Sequence, residues 1–183
     1  NDAAQLVTRA FKSTGSSIRM TLDPAEVELL SNLRDGLEAA LDDDDASDPV
    51  VRRLFPDPVD DDPQANRELH ELLHDDLLAS RREALGRMMS IIGRGELHRG
   101  KVRIELVDDE PQVVLNVVND VRLAIGARIG IERPNFNPAD EQTEYRLAIM
   151  NHLGWLQEQL LSVIDPAAVE IHRLDPPDEG SDQ

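Results

Sequence analysis

The run Val113 to Ile129, VVLNVVNDVRLAIGARI, decides the fold when it is read with Tyr145 to Ile164, YRLAIMNHLGWLQEQLLSVI. At helical spacing Val114, Val117, Val118, Val121 and Ile125 share one face of the first stretch. Leu115, Leu123 and Ile129 widen that face well past a stripe. A helix apolar over so much of its circumference belongs inside a bundle rather than on its surface. The second stretch carries a stripe of Tyr145, Ile149, Leu153, Leu156, Leu160, Val163 and Ile164, the pattern of a long helix laid against a core. Val121, Ile125, Leu153 and Leu156 are therefore expected to be nearly fully buried.

Upstream, Leu6 to Phe11 and Ile18 to Leu22 flank a Ser13-Thr14-Gly15-Ser16 turn and read as a hairpin. Ile18, Met20 and Leu22 alternate with Arg19 and Thr21, the period of a half-buried strand. A helix then opens with Asp23 as cap, Pro24 in the first helical position and Glu26 completing a capping box. Its apolar face is Val27, Leu30, Leu33, Leu37 and Leu41, and it should end near Asp42 to Asp45. Residues 42–63 form an acidic, Pro-rich connection around a short amphipathic piece, Val50 to Phe55. Helical patterning resumes over 66–92, with a break expected near Asp75-Asp76 and an end at Gly93 and Gly95. Val102, Ile104 and Leu106 make a third strand that can join the hairpin, and Asp108 to Pro111 opens the central helix. The expected fold is mainly α, a single-domain helical bundle over 1–164 with a small antiparallel β element. An acidic Pro-rich tail follows over 165–183.

Composition excludes several chemistries. The chain of 183 residues has no cysteine, so disulfides, thiolate nucleophiles and thiol redox sensing are ruled out. Four Met are left as oxidisable side chains, with core packing their expected use. No apolar run reaches the length of a membrane span and no signal pattern opens the chain, so a cytoplasmic protein with no membrane partner is expected. The net charge of −18 sets the chain against phosphate backbones. The exception is Arg81 to Arg103, where Arg81, Arg82, Arg87, Arg94, Arg99, Lys101 and Arg103 face only Glu83 and Glu96. This segment is where a phosphate or an acidic partner would dock, although it lacks the interleaved aromatics of a base-stacking surface. The plainer reading is that these charges offset the acidic remainder within the fold.

His70-Glu71-Leu72-Leu73-His74 matches H-E-x-x-H, in which two His on one helix face share a zinc and the Glu serves as general base. A zinc-dependent hydrolase using His70, Glu71 and His74 is therefore the alternative function. The extended motif is missing, because Leu77 and Ser80 stand where its Gly and third His belong. The preferred reading is a surface helix that packs through Leu69, Leu72, Leu73 and Leu77. An EF-hand count from Asp60 meets Pro63 and an Ala65 where Gly must turn, so these acids read as a solvated linker. Asn119, Arg122 and Gln157 are expected to form a polar cluster inside the helical core, with Gly126 and Gly154 allowing close approach. His152 should be a satisfied core residue. No P-loop, dinucleotide fingerprint or nucleophile elbow is present, and no cofactor is expected.

NDVRLAIG at 119–126 and LGWLQEQLL at 153–161 resemble a family of acidic actinobacterial proteins described as a domain of unknown function, some of them oxidative-stress transcriptional regulators. DPAEVELL at 23–30 and VVRRLFPDPVDDDP at 50–63 fall in the order of that family, and the resemblance runs to about Ile164. It implies a non-enzymatic regulatory protein acting through a protein partner, such as a sigma factor or another transcription component. It also implies weak or absent direct DNA binding and allows a homodimer. Genes of the family commonly lie near that of a protease adaptor, which gives an accessory role in protein turnover as a further alternative. Its shared motifs are packing motifs and carry no metal signature at 70–74.

Overall fold

A computed structural model describes residues 9–56, 63–131, 136 and 140–166, with the side chains of 63–72 left out of the description. Four strands, β1 (Phe11–Ser13), β2 (Ile18–Leu22), β3 (Glu96–His98) and β4 (Lys101–Leu106), form one antiparallel sheet in the order β1-β2-β4-β3. Among the described residues the helices are α1 (Pro24–Asp43), α2 (Pro49–Leu54), α3 (Pro63–Gly93), α4 (Glu110–Ile129) and α5 (Glu141–Ile164). The fold is mainly α with a small β element.

The sheet is apolar on one face because its strands alternate. Phe11 pairs with Met20 and Met20 with Ile104; these three side chains, with Leu22 and Leu106, are buried. β3 is a short fourth strand with all three residues exposed, which is why apolar alternation gave no sign of it. It is held by the Arg99-Gly100 turn, where both residues have positive φ, as a two-residue hairpin requires. Gly95 makes the turn from α3 into this hairpin. A Cβ there would lie 2.6 Å from Val102 Cγ1 and 3.1 Å from the Ile92 carbonyl oxygen.

α1 begins as its sequence requires. Pro24 occupies the first turn and Glu26 Oε2 accepts the Asp23 backbone N–H at 2.7 Å. The helix ends at Asp43, where Asp44 turns into the left-handed region. α4 is the central helix. It packs against α1, α2, α3 and α5 and buries Val113, Val114, Val117, Val118 and Val121.

Several expectations need correction. α3 runs unbroken through Asp75-Asp76, because both carboxylates lie on its exposed side. Of its expected packing face, Leu73 and Leu77 are exposed and the side chains of Leu69 and Leu72 lie outside the described residues, while Leu78, Leu85, Met88 and Ile91 enter the core. Tyr145 is exposed at the start of α5, whose buried stripe is Ile149, Leu153, Leu156 and Leu160. Ile125 is only partly buried, since it lines an open groove of about 300 Å³ with Leu33, Leu37, Val121 and Ala124. The expected hairpin residues before Arg9 and the tail beyond Pro166 lie outside the described residues.

Candidate functional site

The basic segment spans the second half of α3, β3 and β4, and most of its cations pair with carboxylates of the same fold. Arg81 pairs with Asp120 of α4, donates to the Leu54 carbonyl at 3.1 Å and lies over the Phe55 ring at 5.4 Å. Arg82 donates to the Leu41 carbonyl at 2.9 Å and meets Asp42 at 3.2 Å. Arg87 grips Asp109 and Arg94 grips Glu110, each through two nitrogens. Lys101 reaches Asp23 at 2.7 Å. Arg99, on the hairpin turn, and Arg103, on β4 opposite Thr21 and Glu96, have no acidic partner within bonding distance among the described residues.

The bonds on Asp109 and Glu110 tie the start of α4 to α3, where a carboxylate also favours the helix N-terminus. The Arg94 hydrogen bond holds the Glu110 carboxyl below its ordinary range against the opposing effect of burial, and the Val107 backbone N–H adds a smaller lowering. A carboxyl held low stabilises the fold above its unfolded pKa, and that stability is lost as pH falls through the folded value. Thermal unfolding of Glu110→Gln is expected to vary less than wild type between about pH 5 and pH 3. Parallel curves for the two proteins over that interval would refute the assignment.

Of the H-E-x-x-H residues, His70 and Glu71 have side chains outside the described set. His74 is largely buried. Its Nε2 lies 3.0 Å from Asp44 Oδ1 and its ring centroid 4.6 Å from that of Phe55. Nε2 is thus engaged by the carboxylate of the residue that caps α1. Among the described residues no group of three His, Asp or Glu is placed to hold a metal ion.

Arg122 and Gln157 come together. Arg122 Nη1 donates to Gln157 Oε1, and Gln157 Nε2 donates to the Leu115 carbonyl at 3.4 Å. Gly154 makes room for the guanidinium, since a Cβ there would lie 3.4 Å from Arg122 Nη2. Asn119 does not join them. Its side chain is exposed on α4, on a flank about 40° from Leu115 and about 60° from Arg122 by helical spacing.

One concave polar surface was not legible beforehand. Thr21, Asp23, Glu26, Lys101, His152 and Trp155 line a cleft of about 350 Å³ where the sheet, α1 and α5 meet. His152 Nε2 sits 3.0 Å from Glu26 Oε1 and its ring stacks on Trp155 at 5.6 Å, so it is a cleft residue rather than a core one. Only the i, i+3 spacing of His152 and Trp155 could have marked the place. Lys101 pairs with Asp23 inside the cleft, and the His152 ring lies beside the Glu26 carboxylate.

The family described as "Domain of unknown function (DUF2017)" matches residues 8–164. The chain belongs to this family. Its relatives include proteins named "Oxidative stress regulator AosR" from Mycobacterium bovis (strain ATCC BAA-935 / AF2122/97) and from two Mycobacterium tuberculosis strains, CDC 1551 / Oshkosh and ATCC 25618 / H37Rv. Each is 27% identical over 186 residues, covering 82% of this chain and 83% of the relative. No solved structure matches. Among the described residues no helix is long and apolar enough to cross a membrane.

Proposed function

We propose that this chain is a non-enzymatic regulator in the response to oxidative stress, acting by binding a protein partner rather than DNA. The observation that carries the reading is the internal pairing of Arg81, Arg82, Arg87, Arg94 and Lys101 with Asp and Glu. A cation already bound to a carboxylate neutralises no phosphate unless that pair is broken. Few are left to oppose a net charge of −18. Such a field favours a basic protein surface, such as one on a sigma factor or another transcription component. The stress context rests on the name of the mycobacterial relatives.

Gel-shift and binding measurements on the purified chain test this. No specific DNA shift is expected from the chain alone at physiological ionic strength. Binding to purified sigma factors is expected to weaken as salt rises. A DNA shift that survives competitor and disappears in the double replacement Arg99→Ala and Arg103→Ala would overturn the reading. Those two positions are the informative ones, because replacing Arg94 or Lys101 would also break contacts that hold the fold together.

A further inference from the structure

We propose that Met89 is a site of oxidation by peroxides in this cysteine-free chain, and that Arg34 captures the sulfoxide oxygen formed there. The proposal stands on three observations. Met20 and Met88 are each only 1% exposed, whereas Met89, on α3, is 52% exposed. Met150, the fourth methionine, is partly buried on α5 beside Gly126. The Met89 sulfur lies 3.6 Å from Arg34 Nη1. Arg34 itself is only 4% exposed, a charge sunk into the α1–α3 contact, and its buried Nε–H has no acceptor among the described residues.

The contact belongs to a ladder between antiparallel helices. His74 meets Asp44, Arg82 meets Leu41 and Asp42, and Met89 meets Arg34. Arg34 also donates to Asp35 and Glu38 of its own helix. Across the helix boundary its acceptor is a thioether, among the weakest in a protein. The guanidinium is held on the α1 side by carboxylates and on the α3 side by a soft sulfur.

The chemistry is a two-electron oxygen transfer. A sulfur lone pair attacks the outer oxygen of a hydroperoxide, the S–O bond forms and the O–O bond breaks. The proton of the attacked oxygen passes to the leaving one. With hydrogen peroxide, thioether plus peroxide gives sulfoxide plus water, sulfur losing the two electrons that the peroxide gains. The product exchanges a weak acceptor for a strongly polar oxygen beside a buried cation. Rotation about the outer bonds of the side chain can turn that oxygen onto Arg34, where a charge-assisted hydrogen bond would hold it. Oxidation would then tighten α1 against α3, and reduction of the sulfoxide would restore the thioether. The role of this switch in stress regulation rests on the function proposed above; the site itself does not.

Graded hydrogen peroxide on the full chain, followed by peptide mass mapping, tests the site. Because susceptibility follows exposure, Met89 is expected to oxidise at least about fivefold faster than Met20 or Met88. Equal rates would overturn the proposal. Hydrogen exchange of the α1 and α3 amides tests the capture. Exchange around residues 34 and 89 is expected to slow about threefold in the oxidised protein through the added charge-assisted bond. Peroxide should leave Met89→Leu unchanged there. Met89→Gln, which supplies an amide oxygen without oxidation, should show part of the protection. Unchanged or faster exchange in the oxidised wild type would sink the capture by Arg34. Both readouts use the isolated chain, so a failure to find a partner would count against the proposed function and leave these results standing.

Discussion

Leu153→Ala is expected to lower the stability of this protein by about 2 to 5 kcal/mol, the range for a large-to-small change in a packed interior. Leu153 is 0% exposed and sits in the buried stripe of α5, which packs on the central helix α4. The surrounding cluster includes Val114, Val117, Val118, Leu156 and Leu160. β-Branched residues on a helix have few alternative rotamers, so the valines of α4 cannot swing into the void. Chemical denaturation of wild type and variant gives the difference directly. A loss well under about 1 kcal/mol would mean that the α4–α5 contact is not the close-packed centre described above.

Arg81→Met should produce the second large effect, a loss of about 2 to 3 kcal/mol, below the full cost of breaking a buried pair because Arg81 keeps some contact with water. Its partner Asp120 is only 14% exposed on its side chain and would lose its counter-charge. The Leu54 carbonyl would lose its donor, and the α2–α3 junction would lose the cation over Phe55. Combining Arg81→Met with Asp120→Leu should recover part of the loss, since an apolar pair leaves no unpaired charge. Arg99→Glu, on the exposed hairpin turn, should change stability by less than about 0.5 kcal/mol. If Arg81→Met costs no more than Arg99→Glu, the inward role assigned to the basic segment is wrong. The contrast matters for function, because the cations that look alike in sequence divide into those that build the protein and those that face outward.

That division shows where sequence reading reaches its limit. The density of apolar residues at 113–129 and their stripe at 145–164 made the two central helices legible, since helical periodicity is a local property. The capping residues at 23–26 and the alternation at 18–22 and 102–106 were equally local, and they appear where expected. β3 was not legible, because an exposed edge strand of three residues carries no alternation. The phase of α3 was missed for a related reason. Leucines stand on more than one side of that helix, and only packing against α1 and α4 selects Leu78, Leu85, Met88 and Ile91.

The candidate sites divide along the same line. Sequence by itself determined the helical class, the lack of thiol chemistry and the concentration of positive charge at 81–103, because composition and short-range spacing specify all three. It also marked Arg122 and Gln157 as polar groups needing partners, since the apolar residues around them made solvation unavailable. Only the tertiary structure decided which partners they and the other charged groups take. Arg81 finds Asp120, Arg82 finds Asp42 and Lys101 finds Asp23. Tertiary packing alone placed Asn119 in solvent while sinking Arg34 against Met89. The physical reason is that a side chain's burial and electrostatic partners depend on segments far away in the chain. Local sequence sets the period of a helix but not which neighbour its flank will meet.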